Sequence, residues 1–190
     1  MSPEHRVILE RMRASAGVVR RAVEAAPPGR FGRPAREGEW SALETLTHLR
    51  DVVVHVHGLR IRRLLYEEAP VFADFDEEGY RRASLARGEA VGGLLDTIVA
   101  EHEQLARLLQ ALPDANWSRQ GRHPSLGVMS IEFLARRSVS TPRSTRLRSP
   151  RQRVSAEQEE PGLATNAISD GACLTPHAAD ALTRAADAGR

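Results

Sequence analysis

Apolar residues recur at intervals of three and four along four stretches of the chain, the period of a helix with one buried face. The first runs over residues 6 to 26, with Ile8, Met12, Ser15 or Ala16, Val19, Val23 and Ala26 in phase and Arg13, Arg20, Arg21 and Glu24 on the other sides. The second covers 41 to 67, where Leu43, Leu46, Leu49, Val53, Val56, Leu59 or Arg60, and Leu64 alternate with charged positions. The third is the most regular: Val91, Leu95, Ile98, His102, Leu105, Leu109 and Leu112 step by fours and threes. The fourth opens near Ser130 with Ile131, Phe133 and Leu134, and its period is lost after Arg137.

Punctuation supports these limits. Pro27-Pro28-Gly29 ends the first helix, because proline lacks the amide and pushes its predecessor out of helical geometry. Ser41 with Glu44 three residues on is a capping box, and Trp40 is placed to staple the entry. Glu67-Glu68-Ala69-Pro70 closes the second helix. Residues 71 to 87 read as a long connection with one short helix, enough chain to cross a bundle. Pro113-Asp114 ends the third helix, and Gln120 to Gly127 reads as a loop. The Gly- and Arg-bearing stretch 29 to 38 matches neither a P-loop nor a dinucleotide fingerprint, and it reads as another connection. The expectation is an all-α fold: a four-helix bundle over 6–137, its fourth helix shortened.

From 138 to 190 the composition changes. Arg143, Arg146, Arg148, Arg151 and Arg153 fall among Ser, Thr and Pro with no acid before residue 157, and apolar periodicity stops. This segment reads as a disordered tail. Because the break falls inside a helix the bundle needs, the tail also reads as a divergent or out-of-frame C-terminus. A helix cut short would leave Leu and Val uncovered, which raises the expectation of a homodimer.

Composition narrows the class further. Of the 190 residues 41% are hydrophobic and only 4% aromatic, so Leu, Val, Ile and Ala must build the core. All 27 basic residues are arginine, and the net charge of +2 singles out no partner. The arginines of the tail lack interleaved aromatics, which argues against nucleic acid. Cys173 stands alone, so no intrachain disulfide forms. No apolar run approaches the roughly 18 residues of a membrane span, and the charged start lacks a signal-peptide core. The expected setting is cytoplasmic, with no membrane partner.

The candidate chemistry is histidine. His48 follows Glu44 by four residues on the second helix and is expected to face the bundle axis, near the ends of the first and fourth helices. His55 lies about 10.5 Å further along that helix, too far to share an ion with His48 at about 2.1 Å each. Asp51 is expected to pair locally with His55 and His57 to point elsewhere, both histidines lying at the surface or behind a site rather than in it. His102 sits on an inward stripe, where a hydrogen-bonded core or edge histidine is the ordinary outcome rather than a ligand. His123 reads as a loop-ordering residue. No Ser-His-Asp spacing is visible.

In order and spacing, Trp40-Ser41 with Glu44 and His48-Leu49-Arg50-Asp51, then Leu112-Pro113-Asp114-Ala115-Asn116-Trp117, then Gly121-Arg122-His123-Pro124-Ser125-Leu126-Gly127, resemble the DinB-like superfamily over about residues 6 to 137. The resemblance implies an up-down-down-up four-helix bundle that binds a divalent metal, zinc or nickel, through one histidine of the second helix and two of the fourth. Some relatives are thiol-dependent transferases or isomerases. His48 matches the second-helix ligand. The fourth-helix pair would fall around 139 to 147, where this chain has no histidine, so the site it implies is incomplete. Three readings stay open: a metal-binding bundle acting on a small-molecule or thiol substrate, a non-catalytic bundle, or a binding protein using its arginine-rich tail on acidic partners.

Overall fold

The computed structural model describes residues 1–139 apart from 27, 28, 30 and 35–38. The tail expected from residue 138 therefore lies, from residue 140 on, outside the described residues, as does the implied fourth-helix pair apart from residue 139. The elements are helix α1 (Pro3–Ala25), α2 (Ala42–Asp51), a π-helical segment (Val52–Gly58) running directly into α3 (Leu59–Tyr66), α4 (Glu77–Arg87), α5 (Val91–Gln110), a 3-10 turn (Asp114–Ser118), strands β1 (Gln120–His123) and β2 (Gly127–Ser130), and α6 (Ile131–Val139).

Helix directions are set by which residues meet. His5 reaches Asp114, Arg13 reaches Gln110, and Arg20 approaches Asp96, so α1 and α5 run antiparallel. Leu46, Leu49 and Val53 pack with Leu94, Leu95 and Ile98 at one end of the bundle. Ile61 and Leu64 pack with Leu105, Leu109, Ile8, Met12, Ile131 and Leu134 at the other. The α2–α3 rod thus runs parallel to α5, and α6 starts at the end where α1 starts. That is the up-down-down-up order. The stripe expected to form the core does so: Leu46, Ile98, Leu105 and Leu109 are fully buried, and Leu49, Val53 and Leu95 nearly so.

Local chemistry sets the ends. The Ser41–Glu44 capping box forms, with the Ser41 amide donating to Glu44 Oε2 at 2.9 Å and the Glu44 amide donating to Ser41 Oγ. Ser2 caps α1, and Asp114 gathers the Ser2 amide, the His5 ring and the Met1 amine at that end. Those donors hold the Asp114 carboxyl down at about 2.

Three features depart from the sequence expectations. The second helix is not uniform: the β-branched run Val52-Val53-Val54 opens a π segment of seven residues, whose wider turns shift the phase of the helix beyond it. His57, within that segment, is buried and does not lie at the surface. The stretch 120–130 is a hairpin, not a loop, with Gln120 opposite Ser130 and His123 opposite Gly127. Its β1 edge also pairs with Pro70–Phe72, where the Arg122 amide donates to the Pro70 carbonyl at 2.9 Å and the Phe72 amide to the Arg122 carbonyl at 2.8 Å. Gly121 permits this approach, since a Cβ there would stand 2.7 Å from the Pro70 carbonyl oxygen and 2.8 Å from the Phe72 ring.

Because Leu105 lies at 0% exposure among α1, α3 and α6, Leu105→Ala is expected to cost about 2–5 kcal/mol, read from urea unfolding. A cost below about 0.5 kcal/mol would place α5 at the rim of the fold.

Candidate functional site

His48 is carried on α2 two turns past the cap, and α2 is buried on nearly its whole circumference because α4 lies across its outer side. The imidazole meets α4 at that seam; the far end of the fourth helix, which it is expected to approach, lies outside the described residues. Its Nδ1 stands 3.7 Å from Glu77 Oε1 on α4, and the Trp40 ring meets it edge-on with centroids 5.0 Å apart. Burial pushes the His48 pKa below the ordinary histidine value, and the Glu77 and Asp51 carboxylates pull the other way. The net shift is downward, toward the neutral imidazole that serves as a metal ligand.

The seam around His48 is polar. Arg81 of α4 donates to Glu44 Oε1 at 2.8 Å, so one carboxylate serves both the α2 cap and the α2–α4 contact. The Arg81 guanidinium also lies over the Trp40 ring. Further along, Asp51 is 1% exposed and accepts from Arg50 Nε at 2.8 Å and Ser84 Oγ at 2.9 Å. Arg50 continues to Glu89 and to Ser84. The expected Asp51–His55 pair is thus replaced: Asp51 is satisfied by Arg50 and Ser84, because a buried carboxylate takes the strongest donors within reach. His55 instead packs against Tyr80, which stacks on Phe75. Desolvation lowers the His55 pKa, and Asp51 acts on it only through space, in the opposite sense.

The other histidines lie elsewhere. His123 is buried under the hairpin, its Nδ1 accepting from the Ser125 amide at 3.3 Å, which fits its reading as a loop-ordering residue. His102 is inward, as its stripe demanded, and neither ring nitrogen makes a well-formed hydrogen bond among the described residues. Burial takes its pKa down to about 4, and the Ile98 backbone one turn back acts in the opposite sense.

Two ligands about 2.1 Å from a tetrahedral ion stand about 3.4 Å apart. The 3.7 Å between His48 Nδ1 and Glu77 Oε1 is within a few tenths of that separation. The donor chemistry also suits a divalent cation, a neutral imidazole beside a carboxylate. A third ligand is not supplied, since no group of three His, Cys, Asp or Glu residues among the described residues could hold an ion. The described residues therefore fit two positions of a metal site and do not complete one. Glu77 escaped the sequence reading because it is 29 residues from His48 and joins it only through the fold of α4. The acid-rich start of that short helix was the one available signal.

Comparison with known proteins gives the family and the fold. Residues 11–140 match the sequence profile of the DinB superfamily. The chain is 26% identical over 106 residues to YfiT of Bacillus subtilis (strain 168), which covers 56% of this chain. It spans only 59% of that relative's length. A solved structure of YfiT, described as a probable metal-dependent hydrolase with an unusual four-helix bundle topology, superposes with a TM-score of 0.63 at 22% identity. That match covers 71% of this chain and 78% of the other, and at this identity it speaks for the fold. No helix among the described residues is long and apolar enough to cross a membrane.

His102 has a measurable consequence. Its folded pKa lies below the ordinary 6.5, so its contribution to stability is full above pH 6.5 and is lost as pH falls toward and through about 4. Between pH 7 and pH 5 this one ring should cost about 2 kcal/mol of folding stability. His102→Leu should lose correspondingly less over that interval in urea titrations. Equal losses in the two proteins would show that His102 titrates normally in the fold.

Proposed function

The chain belongs to the DinB superfamily, and we propose that it is a divalent-cation-binding bundle whose ion sits at the α2–α4 seam, held by His48 and Glu77. The observation that carries this reading is the His48 Nδ1–Glu77 Oε1 separation of 3.7 Å, close to the spacing of two ligands on one ion, with burial favouring the neutral ring. The relative YfiT, described as a probable metal-dependent hydrolase, points to the same chemistry. A cation held there would act as a Lewis acid and lower the pKa of a bound water or thiol. His48 would supply the nitrogen ligand and Glu77 the anionic one. Asp51 is committed to Arg50 and Ser84 and would hold the helix that carries His48 in register with α4. Zinc and nickel are the ions expected, and a small molecule or thiol is the substrate class. With two protein ligands no hydrolytic step is assigned.

Two ligands hold an ion loosely. Titration calorimetry with zinc and with nickel is expected to give one site with Kd above about 1 µM, less than about 8 kcal/mol. His48→Ala should abolish it, and Glu77→Gln should weaken it by at least about tenfold. Binding that survives both substitutions would move the ion to another part of the chain. A nanomolar site would require ligands beyond these two.

A further inference from the structure

We propose that α4 is a lid over His48, held shut by polar contacts and able to open while the bundle stays folded. In its burial α4 contrasts with the long helices of the bundle. α5 buries eight side chains, six of them apolar, whereas α4 buries one, Ser84, and that one is polar. What fastens α4 to α2 is the Arg81–Glu44 pair, the Ser84 hydroxyl between Arg50 and Asp51, and the His48–Glu77 approach. Elements with few apolar contacts and solvent-facing polar ones open locally at free energies well below global unfolding.

The ends of α4 suit such a motion. At its C-terminus Gly88 takes the left-handed conformation at φ 63°, and nothing stands within 4 Å of where its Cβ would be. At its N-terminus the helix begins at Asp76, whose carboxylate caps the Gly79 amide at 2.9 Å. The chain before it is anchored, because Phe72 is buried and pairs with Arg122, and the Ala73 carbonyl accepts from Arg60 at 3.1 Å. The moving unit is therefore residues 75 to 87, with Phe75 and Tyr80 travelling together as a stacked pair. Opening withdraws Glu77 from His48 and Tyr80 from His55, exposing both rings. Closure brings the carboxylate back to the imidazole, so an entering ligand meets His48 first and Glu77 second. The identity of the ligand rests on the cation-binding reading above; the motion does not, and it is tested without any ion.

The experiment is amide hydrogen exchange by mass spectrometry on the full chain in chelator, together with the rate of His48 modification by diethylpyrocarbonate. Amides of α4 should exchange at least about tenfold faster than those of α5. Arg81→Gln, at a partly exposed ion pair, should raise both α4 exchange and His48 modification by about two- to fivefold and leave α1 and α5 unchanged. Raising the salt concentration should act in the same direction on α4 alone. Ser84→Ala, which removes the buried hydroxyl, should have the larger effect. Exchange of α4 as slow as that of α5, or an Arg81→Gln protein in which α4 exchange and His48 modification are both unchanged, would overturn the lid. If ion binding fails while α4 exchanges fast, only the preceding reading is lost.

Discussion

Asp51 is a carboxylate at 1% exposure in the middle of a helix, and a buried charge must be met by donors or it destabilises the fold. It is met by Arg50 on its own helix and by Ser84 on α4. That requirement fixes where α4 lies, because the serine must reach across the outer face of α2. Once α4 lies there, Glu77 falls opposite His48 and Tyr80 opposite His55. The seam also continues outward, with Arg50 on Glu89 and Arg87 on both Glu89 and Ser84. The inner faces of the helices are held by leucine and valine; the outer face of α2, where the candidate chemistry sits, is held by charge and hydroxyl.

That division explains what the sequence could and could not disclose. The inner faces were legible because burial of apolar side chains imposes a period: α5 appears at Val91–Gln110, where its stripe put it, and the Ser41–Glu44 box marks the start of α2. The crossing helix was legible only as a short element somewhere in 71 to 87. It buries too little apolar surface to leave a period, and its contacts are between residues about thirty positions apart. Polar partnerships of that kind carry no local signature. For this reason spacing alone points Asp51 at its neighbour His55, whereas its partner Ser84 lies in another helix.

The hairpin and the π segment were illegible for different reasons. Strands β1 and β2 are four residues each, too short for alternation to stand out, and β1 is held partly by Pro70–Phe72, a tertiary contact. The π segment begins at three consecutive valines within a helix that otherwise keeps its phase, and nothing in the spacing separates a wide turn from an ordinary one. Val53, Val56 and His57 are all buried within it. His48, which the family pattern singles out, lies on α2; Glu77, its neighbour in space, belongs to no part of that pattern.

The central claim is one placement, an ion between His48 of α2 and Glu77 of α4. Anomalous diffraction from crystals soaked in a nickel salt tests it directly. The expected result is one anomalous peak about 2.1 Å from a ring nitrogen of His48 and from a carboxylate oxygen of Glu77, with water filling its remaining positions. A peak on other residues, with His48 and Glu77 left unliganded, would contradict it.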